Sequence, residues 1–439
     1  MISDFKFSIL NPPSSILDPR LRGLRTMQTL TRLTLLLLIS GSAFAQTPGW
    51  PQWGGPNRNF KAETTGLATS WPETGPRQLW SRNLGEGYSG IVAADGALYT
   101  MYRKGDDEIV VAIDSQTGKT MWEYGYPAPF LKGMDMGNGP GPHATPLIVG
   151  NLLYTAGVTS KLHCLDRRTG KLAWSHDLWG EFKGTFIDTG YSMSPIAYKN
   201  TVILTVGGPG HALVAFDQKD GRLAWRGLDF ASSPSSPMLI KVDGQDQLVA
   251  FMAKQIVGAD PQNGSLMWSH PHVTDWDLNI STPVWGDDNL LFLSSAYGVG
   301  SRVLHLSRAD NRTTVKELWV NPRVRVHKDP AIRVGDFIYA SSGDFGPAPF
   351  TAVNVKTGDI AWQDRSFAKA SLVYADGKFI ILDEDGNLGL ASASPAGLKV
   401  HSKVALLERQ AWTAPTLVGT RLYVRDRKKI LALDLGQGR

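Results

Sequence analysis

The stretch VAIDSQTGKTMW, residues 111–122, decides the fold, because it returns along the chain in the same phrasing. HCLDRRTGKLAW stands at 163–174, VAFDQKDGRLAW at 214–225, VGADPQNGSLMW at 257–268 and TAVNVKTGDIAW at 351–362. In each, Asp or Asn lies eight residues before Trp and Gly lies four before it. The pattern predicts a β-hairpin: apolar alternation makes one strand, the x-T-G-K segment a tight turn with Gly free to take φ > 0, and the Asp a partner for turn amides. The following strand delivers Trp, a large rigid side chain suited to filling the gap between neighbouring sheets. A small residue stands two before the Asp (Ala112, Cys164, Ala215, Gly258 and, near the C-terminus, Ala432), which predicts close packing of another group over that position. The single cysteine, Cys164, therefore reads as a small buried core residue.

Outward from this phrase, seven of the 14 Trp residues form a series: Trp80, Trp122, Trp174, Trp225, Trp268, Trp319 and Trp362. A period of 40–50 residues marks a propeller or another repeat array. A second phrase alternates with the first: a polar residue, often followed by Pro, then a short apolar strand and a turn. It begins at Ser89, Thr145, Ser194, Ser236, Thr282, Asp329, Ser371 and Ala414, eight copies in all. The eighth Trp phrase is split. The chain ends LALDLGQGR, and its missing Trp strand is supplied by Arg77-Gln78-Leu79-Trp80. We read an all-β, eight-bladed β-propeller of four-stranded blades, its ring closed by pairing of N- and C-terminal segments. The seventh unit is expected to be degenerate, with His401 at the Trp position, and the fifth to have an irregular turn at residues 307–314.

Hydrophobic residues make up 42% of the 439-residue chain and charged residues 19%, which excludes bulk disorder. One cysteine excludes an intramolecular disulfide, a CxxCH haem site and a Cys-based zinc site. Arg32, the apolar run 33–39 and Ala43-Phe44-Ala45 form a secretory signal pattern starting at Met27. The expected organisation is an upstream extension over 1–26, a signal peptide over 27–45, an N-terminal arm over 46–76 and the propeller over 77–439. Beyond residue 45 the chain keeps 40 basic and 38 acidic residues, too even a balance for a nucleic-acid footprint. No Cys follows the apolar run within reach of lipidation. A soluble, periplasmic or secreted monomer that is not a lipoprotein is expected.

The repeated [VA]-x-D-x-x-T-G-x-x-x-W phrase resembles the tryptophan-docking repeat of the PQQ-like (quinoprotein-type) β-propellers, and the opening Trp50-Pro51-Gln52-Trp53-Gly54-Gly55-Pro56-Asn57-Arg58-Asn59 resembles that of secreted bacterial members. The resemblance implies the fold over about residues 49–439. It leaves the function between quinone-dependent dehydrogenases and non-catalytic envelope scaffolds. A dehydrogenase of this type is expected to hold PQQ in the axial funnel on a Trp, often beneath a disulfide of adjacent cysteines. Calcium is held there by Glu, Asn and Asp, and an Asp is the base. With one cysteine that disulfide is excluded. The segment His272-Val273-Thr274-Asp275-Trp276-Asp277-Leu278-Asn279 resembles the base-bearing segment, so under that alternative Asp275 or Asp277 would be the base and Asn279 a metal-facing amide.

GxSxG, HExxH, P-loop and zinc patterns are absent, and no metal site is expected. Propeller topology puts the short A–B and C–D turns on one face and the long inter-blade loops on the other, where sites tend to lie. Residues just before each inner strand should ring the axis: Tyr88, His143, Tyr191, Ser235, Asn279 to Ser281, His327 to Asp329, Lys369 and Trp412. Of these, His143, Tyr191, Asn279, His327, Lys328, Lys369 and Trp412 are the candidate ligand-binding set. The function expected is a propeller that binds an envelope protein, a peptide or a carbohydrate at its axial funnel without a cofactor. The alternative is a PQQ- and calcium-dependent dehydrogenase of small alcohols or sugars.

Overall fold

A computed structural model describes residues 49–344, 346 and 348–437; the proposed leader lies outside them. The chain forms eight antiparallel sheets of at least four strands, one per blade. Blade 1 is built from Val92–Ala94, Ala97–Lys104, Asp107–Asp114 and Thr120–Pro127, innermost strand first. Blades 2 to 7 repeat this order. In blade 8 the strands Thr416–Val418, Arg421–Arg425 and Lys429–Asp434 are completed on the outside by Arg77–Asn83. Trp80 stands opposite Ala432 and Arg77 opposite Asp434, so the ring closes through the split blade. Among the described residues the one α-helix is a single turn, Leu178–Phe182, capped by Asp177 between blades 2 and 3.

The hairpin phrase works as its residues predict. Asp114 Oδ1 accepts from the amides of Gln116 and Thr117 and from the Thr117 hydroxyl, and Gly118 has φ 71°. The small residue two before the Asp is the direct cross-strand partner of Trp: Ala112 faces Trp122, Cys164 faces Trp174, Ala215 faces Trp225 and Gly258 faces Trp268. A β-bulge at the residue before Trp turns the indole toward the next blade. There it covers the turn glycine. A Cβ on Gly118 would lie 2.7 Å from Trp80, and one on Gly170 2.6 Å from Trp122. Trp80, Trp122, Trp174, Trp319 and Trp362 each donate Nε1 to a carbonyl of the following blade.

Trp225 covers Gly264 but its Nε1 finds no acceptor among the described residues, and two further seams depart more widely. In blade 5 the strands Gly300–Ala309 and Arg312–Asn321 are joined by Asp310-Asn311, both with positive φ, a two-residue hairpin lacking glycine. Trp268 has no turn glycine to cover there. It donates instead to Gln247 Oε1 at 2.7 Å, and Gln247 Nε2 reaches Thr313 Oγ1 at 2.7 Å. In blade 7 the sequence expectation needs correction: Ser402, not His401, occupies the Trp register. Ser402 pairs with Leu390 and Val400 with Ala391, so His401 is the bulged residue. The N-terminal arm fills the vacancy. The Trp71 amide donates to Ser402 Oγ at 2.7 Å, and that hydroxyl donates back to the Trp71 carbonyl at 3.2 Å.

The Ser/Thr-Pro phrase lashes the inner strands together. Thr413 Oγ1 donates to the Tyr88 carbonyl, Ser89 Oγ to that of Ala144, and Ser235 Oγ to that of Ser281. The amides of Thr145 and Ser194 donate to the hydroxyls of Ser194 and Ser236. A small hydroxyl serves here because it satisfies buried backbone groups where blades meet too closely for a larger polar side chain.

The arm is part of the propeller. Trp50 bridges Ala93 in blade 1, the Ile148 amide in blade 2 donates to the Pro51 carbonyl, and Trp53 Nε1 donates to Thr282 Oγ1 in blade 5. Lys61–Ala62 adds a fifth, parallel strand to the inner edge of blade 7. Because it touches inner strands on opposite sides of the ring, the arm spans the axis at the short-turn end. Trp50, Phe60 and Leu67 are buried in the largest core cluster.

Candidate functional site

At the long-loop end, residues that precede successive inner strands converge. The Tyr88 ring lies parallel to that of His143 (centroids 5.8 Å apart, 11° between planes) and 5.2 Å from that of Trp412. These rings from blades 8, 1 and 2 form a continuous aromatic shelf. From blade 6, Lys328 Nζ lies 3.3 Å from the centre of the Trp412 ring, a cation–π contact. Trp412 Nε1 donates to Glu384 Oε2 at 3.3 Å. Beside Lys328, the buried Asp329 accepts from Ser371 Oγ at 3.2 Å. Lys369 has a left-handed backbone, φ 44°, and so does Gln410, φ 72°, which accepts from Arg427 and Tyr88. Such strain in residues with a Cβ is tolerated where surrounding contacts impose it.

The electrostatics are those of a crowded, poorly hydrated site. Burial pushes the Lys328 amine down to about 8; Asp329 opposes this and Lys369 adds to it. Burial raises the Asp329 carboxyl to about 6, against the pull of Lys328. Burial also holds His327 and His143 down to about 4, so both imidazoles are neutral near pH 7. His327 Nε2 meets the Tyr297 hydroxyl at 2.5 Å, and the Tyr297 ring lies 4.9 Å from that of Trp276. Displaced acids and bases gathered at one place mark a functional site more often than a purely structural one.

The expected set divides. His143, His327, Lys328, Lys369 and Trp412 are half-buried at the axial end. Tyr191 is fully buried, its hydroxyl donating to the Thr205 carbonyl at 2.9 Å, and it packs on Trp179. Asn279 is also fully buried. Its Nδ2 donates to the carbonyls of Met252, Ala253 and His272, and its Oδ1 accepts from Ser295. Both are core residues with no free surface for a ligand. Asp275 is exposed; Asp277 is half-buried, has φ 56° and pairs with Lys254 at 3.4 Å.

Sequence reasoning missed several participants. Glu384 and Tyr297 come from loops between second and third strands, which carry no repeated phrase. Arg425 ends a second strand, yet it is fully buried and donates to the carbonyls of Gly87, Ser89 and Met101. It thereby fixes the segment bearing Tyr88. An Arg closing an apolar strand reads as a surface residue, and only its distance from the blade 1 carbonyls in sequence hides the role.

Among the described residues no group of three or more His, Cys, Asp or Glu is placed to hold a metal ion. Asn279 Oδ1, the atom a cation would need, accepts from the Ser295 hydroxyl, and Cys164 is buried in blade 2. Trp412 offers a ring at the axis, but Lys328 already covers one face of it.

A family model described as outer membrane protein assembly factor BamB matches residues 106–364, more than half of the chain. Quinohemoprotein alcohol dehydrogenase ADH-IIG of Pseudomonas putida is 26% identical over 298 residues, 67% of this chain and 34% of that enzyme. The quinohemoprotein alcohol dehydrogenase of Comamonas testosteroni is 26% identical over 205 residues, 44% of this chain and 27% of that enzyme. These matches thus span about a third or less of the enzymes' length. The structure of BamB from Moraxella catarrhalis superposes with a TM-score of 0.57 at 17% identity, covering 83% of this chain and 99% of that one. The structure of the Comamonas testosteroni enzyme gives a TM-score of 0.65 at 14% identity, covering 90% and 82%. The eight closed blades, the docking tryptophans and these matches together place the chain in the PQQ-like β-propeller repeat family, related to BamB and to the quinoprotein alcohol dehydrogenases.

Proposed function

We propose that the protein is a non-catalytic binding propeller of the bacterial envelope whose long-loop face receives a protein or peptide, with the axial shelf taking an acidic or aromatic side chain. The convergence of Trp412, Tyr88 and His143 with the amines of Lys328 and Lys369 carries this view. Phe130, Leu131, Phe186, Val273 and Trp276 support it. They are large apolar residues on the long inter-blade loops, and each is more than 40% exposed. Apolar side chains around a rigid pocket suit a protein partner. The secretory signal pattern of the sequence over residues 27–45 favours export, and no helix of the described residues is long and apolar enough to cross a membrane.

Peptides selected from a displayed library on the immobilised protein provide the test. Trp412→Ala and Lys328→Met should each weaken a selected peptide about tenfold or more, as removal of an aromatic or charged anchor does. Equal binding by both variants would refute the site. Selection of oligosaccharides but not peptides on a glycan array would move the ligand class to carbohydrate.

The second reading, a PQQ- and calcium-dependent dehydrogenase, draws on the identity to quinohemoprotein enzymes. It predicts dye reduction with alcohols after addition of PQQ and calcium, abolished by Asp277→Ala.

A further inference from the structure

The opposite end of the axis holds a second cavity, independent of the long-loop reading. Where the arm crosses the short-turn end, a cavity of about 330 Å³ lies between it and the inner strands of blades 4, 5 and 6. Arg58, Phe60, Leu239, Trp285 and Asp287 are among its lining residues. It adjoins a groove of about 550 Å³ between blades 4 and 5, and the two share Leu239, Trp285 and Asp287. A ligand therefore has a route in from the surface. The first volume is near the lower end for small-molecule sites, roughly 300 Å³.

Arg58 is the unusual member. Its backbone is left-handed, φ 54°, and the tight loop from Gly54 holds it so: the Phe60 amide donates to the Gly54 carbonyl at 2.9 Å. Its guanidinium makes no ion pair or side-chain hydrogen bond with a described residue. Partial burial pushes it down to about 9. The other charges nearby leave it uncompensated. Arg333 is held by both oxygens of Asp288, at 2.6 and 2.7 Å, and Lys61 feels both Arg333 and Asp287. Asp287 stands exposed at the rim; in the adjoining groove Lys241 pairs with Asp246, and Asp243 accepts from Asn289 and the Arg308 amide. Arg58 is half-buried at the cavity wall, and an arginine fork with no described partner matches the two oxygens of a carboxylate. The Trp285 and Leu239 walls suit an apolar body behind that group.

We propose that this cavity binds a small organic carboxylate, its oxygens held by the Arg58 guanidinium and its apolar body lying on Trp285 toward the groove between blades 4 and 5.

The probe is benzoate, titrated into the folded protein by calorimetry, with benzamide as its neutral match in shape. Benzoate should bind and benzamide should bind at least about tenfold more weakly, the loss expected when a charge-assisted pair is removed. Arg58→Met should weaken benzoate to the same degree. Equal binding of the two probes, no binding of benzoate, or unchanged affinity in Arg58→Met would overturn the site. So would loss in Lys328→Met with Arg58→Met unaffected, which would place benzoate at the other end of the axis. If Arg58→Met does not fold, arginine modification of the wild-type protein by phenylglyoxal decides the matter. Benzoate should slow reaction at Arg58, and an unaltered rate there refutes the proposal.

Discussion

The seam between blades 3 and 4 and the seam between blades 7 and 8 do the same work with different parts of the chain. In the first, Trp225 comes from its own blade and covers Gly264 of the next, where a Cβ would meet the indole at 2.5 Å. In the second, the blade supplies only Ser402, which bonds the amide and carbonyl of Trp71 from the arm; Trp71 lines a groove shared with Thr420, Asp434 and Gly436 of blade 8. What the ring requires is an aromatic plate at each seam, and sequence position within the repeat is one way of delivering it.

The largest effect should come from the split blade. Removing residues 429–437 deletes the strand between Arg421–Arg425 and Arg77–Asn83 and opens two edges at once. We expect loss of cooperative thermal unfolding and aggregation; an unchanged calorimetric transition would mean the ring does not close there. Next, Trp225→Ala should destabilise by about 3 kcal/mol in urea titration, the low end for a buried aromatic. Trp71→Ala should cost about 2 kcal/mol, less because the backbone bonds to Ser402 survive the substitution. A negligible loss at Trp71 would show that blade 7 needs no plate. Trp53→Ala removes one bond to Thr282 and an edge contact with Phe60, 4.9 Å between centres, and should cost about 1–2 kcal/mol. Equality with Trp225 would erase the distinction between repeat and arm.

The smallest effect concerns the irregular seam of blades 4 and 5. His272 is buried against Phe251, and desolvation, with Arg302 adding to it, holds its imidazole down to about 3. Since an unfolded histidine titrates near 6.5, the unfolded chain takes up a proton between about pH 6.5 and 3 that the folded chain refuses. Its contribution to stability is therefore full above that window and is lost as pH falls through it. His272→Leu should shallow the decline of the urea midpoint between pH 6.5 and 4.5. An identical slope would show that His272 does not titrate on unfolding.

Much of the fold was legible because the hairpin phrase encodes its own turn, bulge and docking partner within twelve residues. The site was legible only in part. Position before an inner strand predicts nearness to the axis, and Lys328, Lys369 and Trp412 lie near one another. It does not predict which way a side chain turns, and Tyr191 and Asn279 turn into the core because backbone carbonyls there need donors. His401 was misplaced by one residue because a bulge shifts register without leaving a mark in composition. The arm across the axis has no local signature, since its partners are scattered over blades 1, 2, 5 and 7.

The split blade also constrains the order in which this molecule can be made. Arg77 meets Asp434 across 357 residues, about as non-local as a contact in this chain can be. Non-local pairing pays its loop-closure entropy before any contact repays it, and it slows folding. During synthesis the first outer strand must wait with no strand partner on either edge until Lys429–Asp434 has been made. Up to that moment the nascent chain is an open arc of blades. A polypeptide that cannot close its ring early stays available for threading and for chaperones, and it becomes a finished propeller in one late step.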